Sequence, residues 1–195
     1  DISCYGNIRK VGLNAVNLRD GDELISVFTT DGNDDIFIAT NKGMGIRFNE
    51  TDVRPMGRTA TGVRGIRLRD GDYVVAADVM RDGQKVLNIT EKGFGKRTDE
   101  SEFTLQNRGG LGLKIQNVTD RTGCLTSVVM VSGGEELMLI TSEGVILRIR
   151  TGDISNIGRV SQGVKLINLG EGVTVVSAAK IEEEYIDTED ETENE

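Results

Sequence analysis

The feature that most constrains how this chain can fold is an internal repeat with a period of about fifty residues. A turn that begins with threonine and ends with glycine occurs three times, and its glycines are 50 and 51 residues apart: Gly43, Gly93 and Gly144. A second anchor, glycine followed by leucine or valine, recurs at spacings of 50, 50 and 51: Gly12, Gly62, Gly112 and Gly163. Because two independent anchors share one period, the chain is predicted to be an array of similar units.

Each unit reads as four short strands joined by turns. In the unit that begins near residue 33, we predict strands at 36–39, 44–48, 63–68 and 73–80, with Arg64 in the preceding loop because it breaks the alternation. No run has a convincing helical period. The predicted fold class is all-β. Four-stranded units of this length are typical of a propeller-like radial array, in which each blade has a face that only its neighbour can bury.

The predicted units span residues 1–32, 33–83, 84–133 and 134–181. The first unit is incomplete, because Asp1 aligns with Asp52 and Asp153, which follow the first hairpin of the later units. We therefore expect the missing hairpin to precede Asp1 in a longer protein.

The charge of the chain is unevenly distributed. The formal net charge is −9, but the segment 182–195 contains nine acidic residues and no basic one, which leaves 23 acidic and 23 basic residues in 1–181. An acidic segment with few apolar residues is typical of a disordered tail. Residues 53–69 carry five arginines and no acid, so the neutral body also segregates its charge: Arg54, Arg58, Arg64, Arg67 and Arg69.

Several classes of function are excluded or disfavoured by what the chain contains. It has no histidine, which removes Ser-His-Asp and Cys-His catalysis and most zinc sites. Its two cysteines, Cys4 and Cys124, are 120 positions apart and are predicted to be reduced thiols. Gly93-Phe94-Gly95-Lys96-Arg97 does not match a phosphate-binding P-loop. The acidic stretch 31–35 lacks the spacing of a calcium loop, and no segment is apolar enough to span a membrane. We predict no metal ligands and no catalytic residues.

Basic residues, in contrast, recur in register. Arginines stand four residues before the second anchor glycine, basic residues stand two after it, and arginines stand four after the turn glycine. Equivalent positions of a radial array lie along its rim, where cations suit a phosphate backbone. The alternative is a solvated surface or structural ion pairs. The candidate DNA-binding residues are Arg47, Arg54, Arg58, Arg64, Arg67, Lys96, Arg97, Arg108, Lys114, Arg148, Arg159 and Lys165.

Three stretches resemble the C-terminal domain of the bacterial DNA gyrase A protein, in order along the chain: Arg54-Pro55-Met56-Gly57-Arg58-Thr59-Ala60-Thr61-Gly62-Val63-Arg64-Gly65-Ile66, Glu91-Lys92-Gly93-Phe94-Gly95-Lys96-Arg97-Thr98 and Ile154-Ser155-Asn156-Ile157-Gly158-Arg159-Val160-Ser161-Gln162-Gly163-Val164. The resemblance extends from Asp1 to about Ile181, and the acidic tail also fits. A degenerate copy of the family's seven-residue signature box matches at five positions: Gln106, Arg108, Gly109, Gly110 and Gly112.

The resemblance implies a β-pinwheel, a disc of propeller-like blades that exchange strands and whose basic perimeter wraps double-stranded DNA without reading its sequence. It implies a cytoplasmic protein whose N-terminal part joins the gyrase B protein in an A2B2 complex that supercoils DNA negatively. The type II topoisomerase chemistry, with its ATP and magnesium, then lies outside this segment, which holds no cofactor and is not catalytic. The intact box is expected in an earlier blade.

Two alternatives remain open. The first is the C-terminal domain of the related topoisomerase IV A protein, which shares the fold; the regular register and the acidic tail favour gyrase. The second is a β-propeller that binds proteins rather than DNA. It predicts an aromatic or apolar binding face, which a chain with 4% aromatic residues supports poorly.

Overall fold

The structure is a computed structural model that describes residues 2–6, 10 and 12–181. The predicted tail, 182–195, lies outside the described residues. Within them the chain forms strands and single-turn 3₁₀ helices, which confirms the all-β prediction. The strands are β1 (Asp35–Thr40), β2 (Met44–Asn49), β3 (Val74–Met80), β4 (Lys85–Thr90), β5 (Phe94–Asp99), β6 (Leu113–Lys114), β7 (Leu125–Val131), β8 (Glu136–Thr141), β9 (Ile146–Arg150), β10 (Val164–Lys165) and β11 (Val175–Ile181).

The strands form three antiparallel sheets, which we call blades. The first blade has the order β3-β1-β2-β6, the second β7-β4-β5-β10, and the third β11-β8-β9. Strand β3 packs against β7, and β7 against β11, so these three strands form the inner edges of the blades. The opposite edge, formed by β6 in the first blade and β10 in the second, is the outer edge.

Each outer strand comes from the unit that follows the blade it completes. Leu113 and Lys114 of β6 pair with Gly45 and Met44 of β2, and β10 pairs with β5 in the same way. The strand exchange implied by the family resemblance is therefore present. Glycine makes it possible: a Cβ on Gly163, which has φ +84°, would lie 2.7 Å from the carbonyl oxygen of Gly95.

The strand predicted at 63–68 is wrong, because the structure shows no strand there. In the later units the same repeat position pairs with the preceding unit's second hairpin strand. The described residues before β1 contain no such hairpin, so this segment has no strand to pair with. The prediction that Arg64 belongs to a loop is confirmed.

The core lies between blades, because the alternating side chains of one strand enter different clusters. Val86 of β4 packs with Phe37 and Leu125 between the first two blades, whereas Leu87 packs with Leu137 between the second and third. All five are at most 1% exposed, and burying a side chain of this size contributes about 1.5–3 kcal/mol. A blade is therefore stable only beside its neighbours, as expected for repeat arrays.

Each unit also contributes a rim loop, by which we mean residues 53–62, 103–112 and 154–163. The last two follow a 3₁₀ turn, Glu100–Glu102 or Thr151–Asp153, and lead into an outer strand. The 103–112 loop lies against β2, where Arg47 bridges to Leu105, and the 154–163 loop lies against β5, where Arg97 bridges to Asn156. Each loop carries one arginine of the recurring set, namely Arg58, Arg108 or Arg159, and the exposed recurring cation follows two residues after the loop ends.

Candidate nucleic-acid interface

Exposed cations occupy one repeat position at the outer edges. Lys114 on β6 and Lys165 on β10 are both exposed, and so is Arg64 at the equivalent place in the preceding unit. The Nζ of Lys114 donates to Asn117 Oδ1 at 2.9 Å, and the Nζ of Lys165 lies 4.9 Å from the ring centroid of Phe94. An ammonium has three N–H donors, so both lysines keep donors for a further acceptor.

The rim-loop arginines connect neighbouring units. The Nη1 of Arg108 donates to the carbonyl of Arg64, and the Nη1 of Arg159 donates to the carbonyl of Lys114, each at 2.5 Å. Arg108 Nε also donates to the Asp52 carbonyl at 3.1 Å. A guanidinium has five N–H donors. Each half-buried arginine therefore ties its loop to the preceding unit and still has donors left for a further acceptor. The structure thus brings these two sets of predicted residues together.

The remaining predicted residues of the first complete unit are less constrained. Arg54 and Arg67 are exposed, and Arg58 is half-buried at the rim-loop position of Arg108. The backbone N–H of Arg67 donates to the Gly110 carbonyl at 2.7 Å, which leaves its side chain at the surface beside the 103–112 loop.

The arginine that follows each hairpin turn has a different role. Arg47 Nε donates to Asp35 at 2.7 Å, and its Nη1 lies 3.3 and 3.4 Å from the carbonyls of Glu100 and Phe103. The Arg47 side chain is only 16% exposed. It therefore holds the 3₁₀ turn of the next unit against β2 from within the fold.

Arg97 repeats this arrangement in the second blade. Its Nε donates to the Ile154 carbonyl at 2.7 Å and its Nη2 to the Gly152 carbonyl at 2.8 Å. Arg148, at the same position of the third blade, has Glu136 as its ion-pair partner, and its side chain is 62% exposed. Recurrence in the sequence therefore marks an inter-unit contact at two of these three positions.

Lys96 is the predicted site residue that the structure removes furthest from solvent. It is 0% exposed, and its Nζ donates to the carbonyls of Gly158 at 3.0 Å, Ser161 at 3.1 Å and Arg159. Burial lowers the pKa of this ammonium from 10.5 to about 8; the charge of Glu102 raises the pKa, and that of Arg159 lowers it further. Three carbonyls occupy its three donors, so Lys96 has no donor left for a phosphate oxygen.

The degenerate box, residues 106–112, lies in the 103–112 rim loop. Gln106 is half-buried, and its backbone N–H donates to the Arg47 carbonyl at 2.8 Å. Gly109 N–H donates to the Gly65 carbonyl at 2.7 Å, and Gly112 lies so close to Gly45 that a side chain would clash with its backbone. The box residues therefore secure the contact between a loop and the preceding unit. Its five matching positions are Gln106, Arg108, Gly109, Gly110 and Gly112.

Sequence reasoning missed Arg121. Its guanidinium carbon lies 5.2 Å from the centroid of the Phe94 ring, which Lys165 also approaches. Arg121 is exposed, and it has no basic counterpart fifty residues earlier, where Gly71 stands. A search for recurring charge cannot find a cation that occurs in one unit. The signal that indicates Arg121 is the Phe94 ring, because cations tend to lie over aromatic faces and Lys165 approaches the same ring.

Acidic and thiol groups show no arrangement that suggests catalysis among the described residues. The carboxylates of Asp31, Asp34 and Glu50 lie together, but Glu50 Oε1 already accepts the backbone N–H groups of Gly32 at 2.8 Å and Asp34 at 2.7 Å. The hydrogen bond from the Thr30 hydroxyl lowers the pKa of Glu50 most; burial raises it, and these two backbone bonds lower it further. Burial raises the pKa of Cys124, which disfavours a reactive thiolate. Among the helices of the described residues, none is long and apolar enough to cross a membrane.

Comparison with known proteins gives a consistent result. The family profile described as the DNA gyrase C-terminal domain, β-propeller, matches residues 5–31, 34–79, 84–132 and 135–182. The DNA gyrase A protein of Halalkalibacterium halodurans is 57% identical over 196 residues, which cover 100% of this chain and 24% of that protein. The DNA gyrase A protein of Clostridium acetobutylicum is 55% identical over 180 residues, which cover 92% of this chain and 22% of that protein. The chain thus spans about a quarter of the length of these relatives.

Two solved structures are similar at 27% identity. A DNA gyrase A C-terminal domain superposes with a TM-score of 0.78, covering 88% of this chain and 58% of that one. A C-terminal domain of DNA topoisomerase IV superposes with a TM-score of 0.87, covering 93% and 57%. The pinwheel arrangement of blades is therefore shared with both, whereas the similarity in sequence at 55–57% is to gyrase.

Proposed function

The chain belongs to the DNA gyrase C-terminal domain family, and from this premise we propose that it binds double-stranded DNA along the outer edges of its blades. The observation that supports this most is the repeated pairing of a rim-loop arginine with an exposed cation. Arg108 contacts the backbone of Arg64, and Arg159 contacts that of Lys114. Each pair places a guanidinium against the backbone of a residue with an exposed positive side chain in the preceding unit, an arrangement that suits backbone phosphates.

The contacts proposed are to phosphates, so binding would not depend on base sequence. By bending a duplex around the array, the domain would set the handedness of the DNA crossing. Strand passage, ATP hydrolysis and magnesium binding would belong to the other parts of the A2B2 gyrase complex. The proposed location is the cytoplasm, where a bacterial chromosome is found. The relatives at 55–57% identity favour gyrase over topoisomerase IV as the parent enzyme.

Salt titration of duplex binding tests the proposal. If about six phosphates are neutralised, the slope of log affinity against log salt should be about −5. The variant Arg64→Met/Lys114→Met/Lys165→Met removes three exposed cations, so its slope should be smaller by about 2.7 and its affinity at about 0.1 M salt lower by about two to three powers of ten. Its thermal unfolding should be unchanged, because exposed charges contribute little to stability.

The matched control is Arg148→Met, an exposed arginine outside the paired set. Duplexes of different sequence should bind equally. A flat salt response of the unsubstituted chain, or a triple variant with undiminished affinity, would refute DNA binding through these residues.

A further inference from the structure

We propose that Lys96 is a positioning residue: its buried ammonium fixes the 154–163 rim loop so that Arg159 is held at the outer edge, and Lys96 itself does not contact DNA. The proposal rests on the proposed function for the role of Arg159, but the anchoring of the loop does not. The carbonyls that Lys96 binds, those of Gly158, Arg159 and Ser161, come from one turn of that loop.

The ammonium is matched to this site in the number of its N–H donors. A lysine ammonium has three N–H donors, and three carbonyl oxygens surround it. A buried charge is costly unless it is hydrogen-bonded, and bonds from a charged donor are about twice as strong as neutral ones. If Lys96 were displaced, the three carbonyls would lose their charged donor together; the carbonyls of Gly158 and Ser161 would keep only neutral donors, from Ser161 and Asn117. Loop and ammonium therefore stabilise each other's position.

Arg159 is held at three points. Lys96 binds its carbonyl, Glu102 Oε2 accepts its backbone N–H at 2.8 Å, and its Nη1 donates to the Lys114 carbonyl at 2.5 Å. The backbone carbonyl of Arg159 thus binds a cation, Lys96, and its backbone N–H binds an anion, Glu102. These two contacts fix the backbone of Arg159, and its guanidinium then reaches the backbone of the exposed Lys114.

The first blade shows what the loop lacks without this lysine. The position of Lys96 is there occupied by Ile46, which is 0% exposed and packs in an apolar cluster. The equivalent arginine, Arg108, is held through its side chain, by the carbonyls of Arg64 and Asp52. The rim loops thus share a sequence pattern and differ in how their arginine is anchored. The charged anchor belongs to the second blade.

The test replaces Lys96 by methionine, which keeps the length of the side chain and removes the ammonium. Amide hydrogen exchange within 154–163 reports on the loop, because the N–H groups of Ile157, Arg159 and Ser161 are hydrogen-bonded. In Lys96→Met we expect their exchange to accelerate by about tenfold or more, with β1 and the 103–112 loop unchanged. The matched control is Lys165→Met on the neighbouring strand, which should leave this exchange unaltered.

DNA binding separates positioning from simple structural support. Lys96→Met should weaken duplex binding several-fold, and this effect should vanish when Arg159→Met is already present, because the two residues then act through one contact. Unchanged exchange in the loop would overturn the proposal whether or not DNA binds. Faster exchange with unchanged affinity, or fully additive effects of the two substitutions, would overturn it as well.

A failure of the proposed function can be told apart from a failure of this proposal. In the first case the unsubstituted chain would show no salt-dependent DNA binding, but the hydrogen-exchange result would still show whether Lys96 anchors the loop.

If Lys96→Met does not fold, competitive acetylation of the unsubstituted chain tests the anchoring instead. Lys96 should react far more slowly than Lys114 and Lys165. Equal reactivity would show that the ammonium is not held in the loop and would refute the proposal.

Discussion

The outer edges of the second and third blades are built from equivalent hairpins, but only the hairpin of the second blade is paired with a further strand, β10. In the second blade Gly95 lets β10 approach closely, and Arg97 binds two carbonyls of the following unit. In the third blade Ile146 stands in the place of Gly95 and is 59% exposed, and Arg148 turns to Glu136. The third blade has three strands among the described residues, because no strand completes β9 there.

The difference shows that a residue's role in a repeat depends on whether a following unit packs against it among the described residues. The same arginine is an inter-unit contact in one blade and an exposed side chain in the next. Recurrence of charge therefore does not by itself identify a binding surface. The outer-edge cations Arg64, Lys114 and Lys165 are better candidates, since their side chains are exposed beside the inter-unit contacts of the rim-loop arginines.

The largest effect is expected when the second blade is given the residue of the third. A Cβ on Gly95 would lie 2.9 Å from the Asn88 carbonyl and would also clash with Leu166. The substitution Gly95→Ile should therefore detach β10 or strain β5 and lower the free energy of unfolding by about 3 kcal/mol. Urea denaturation measures this loss.

The reciprocal substitution, Ile146→Gly, should cost less than about 1 kcal/mol, because the side chain is exposed and only the strand propensity changes. A second control is Gly57→Ala, since nothing lies within 4 Å of the added methyl group. Equal losses for Gly95→Ile and Ile146→Gly would show that β10 does not depend on the close approach at Gly95.

A smaller effect should separate the two arginines. Arg97→Met leaves the carbonyls of Ile154 and Gly152 without their charged donor, which should lower the free energy of unfolding by about 2 kcal/mol. Arg148→Met removes an exposed ion pair, so less than about 1 kcal/mol is expected. Thermal unfolding of the two variants, measured side by side, compares them directly. Identical melting temperatures would contradict the inter-unit role of Arg97.

The fold was predictable because the repeat is long and its anchors are regular. The period, the all-β class, the hairpins and the family resemblance were all read from the sequence, and the structure and comparisons confirm them. The strand at 63–68 was wrong because the sequence of one unit does not show which blade that segment completes. Its counterparts, β6 and β10, are strands only because a preceding hairpin accepts them.

The candidate site was less predictable for a related reason. Lys96, Arg97 and Lys165 are all basic and lie within the repeat pattern, yet one is buried, one binds carbonyls and one is exposed. The burial and contacts of these three side chains depend on where the carbonyl groups of a neighbouring unit lie, and no local sequence pattern shows this. Which exposed cations contact DNA therefore remains a prediction, tested by the experiments above.

The effect that depends most on solution conditions is a pH dependence that arises from Lys96. Its pKa is lowered to about 8 in the folded chain, first by burial, then modulated by Glu102, which raises it, and Arg159, which lowers it. The unfolded chain keeps the ordinary pKa of 10.5 and so binds more protons between these two values. Because stability rises with pH wherever the unfolded state binds more protons, this group should add stability as the pH rises from about 8 to about 10.5.

The measurement compares the unfolding free energy of the unsubstituted chain with that of Lys96→Met by urea titration at several pH values. Other lysines and tyrosines titrate in both proteins, so they cancel in the difference. Below about pH 7 the difference should be constant; above about pH 8 it should shift in favour of the unsubstituted chain by less than about 1.4 kcal/mol per pH unit. The third blade has Leu147 at the position of Lys96, so that position should contribute no pH dependence of stability. A difference that stays constant up to about pH 10 would show that Lys96 is not desolvated in the folded chain.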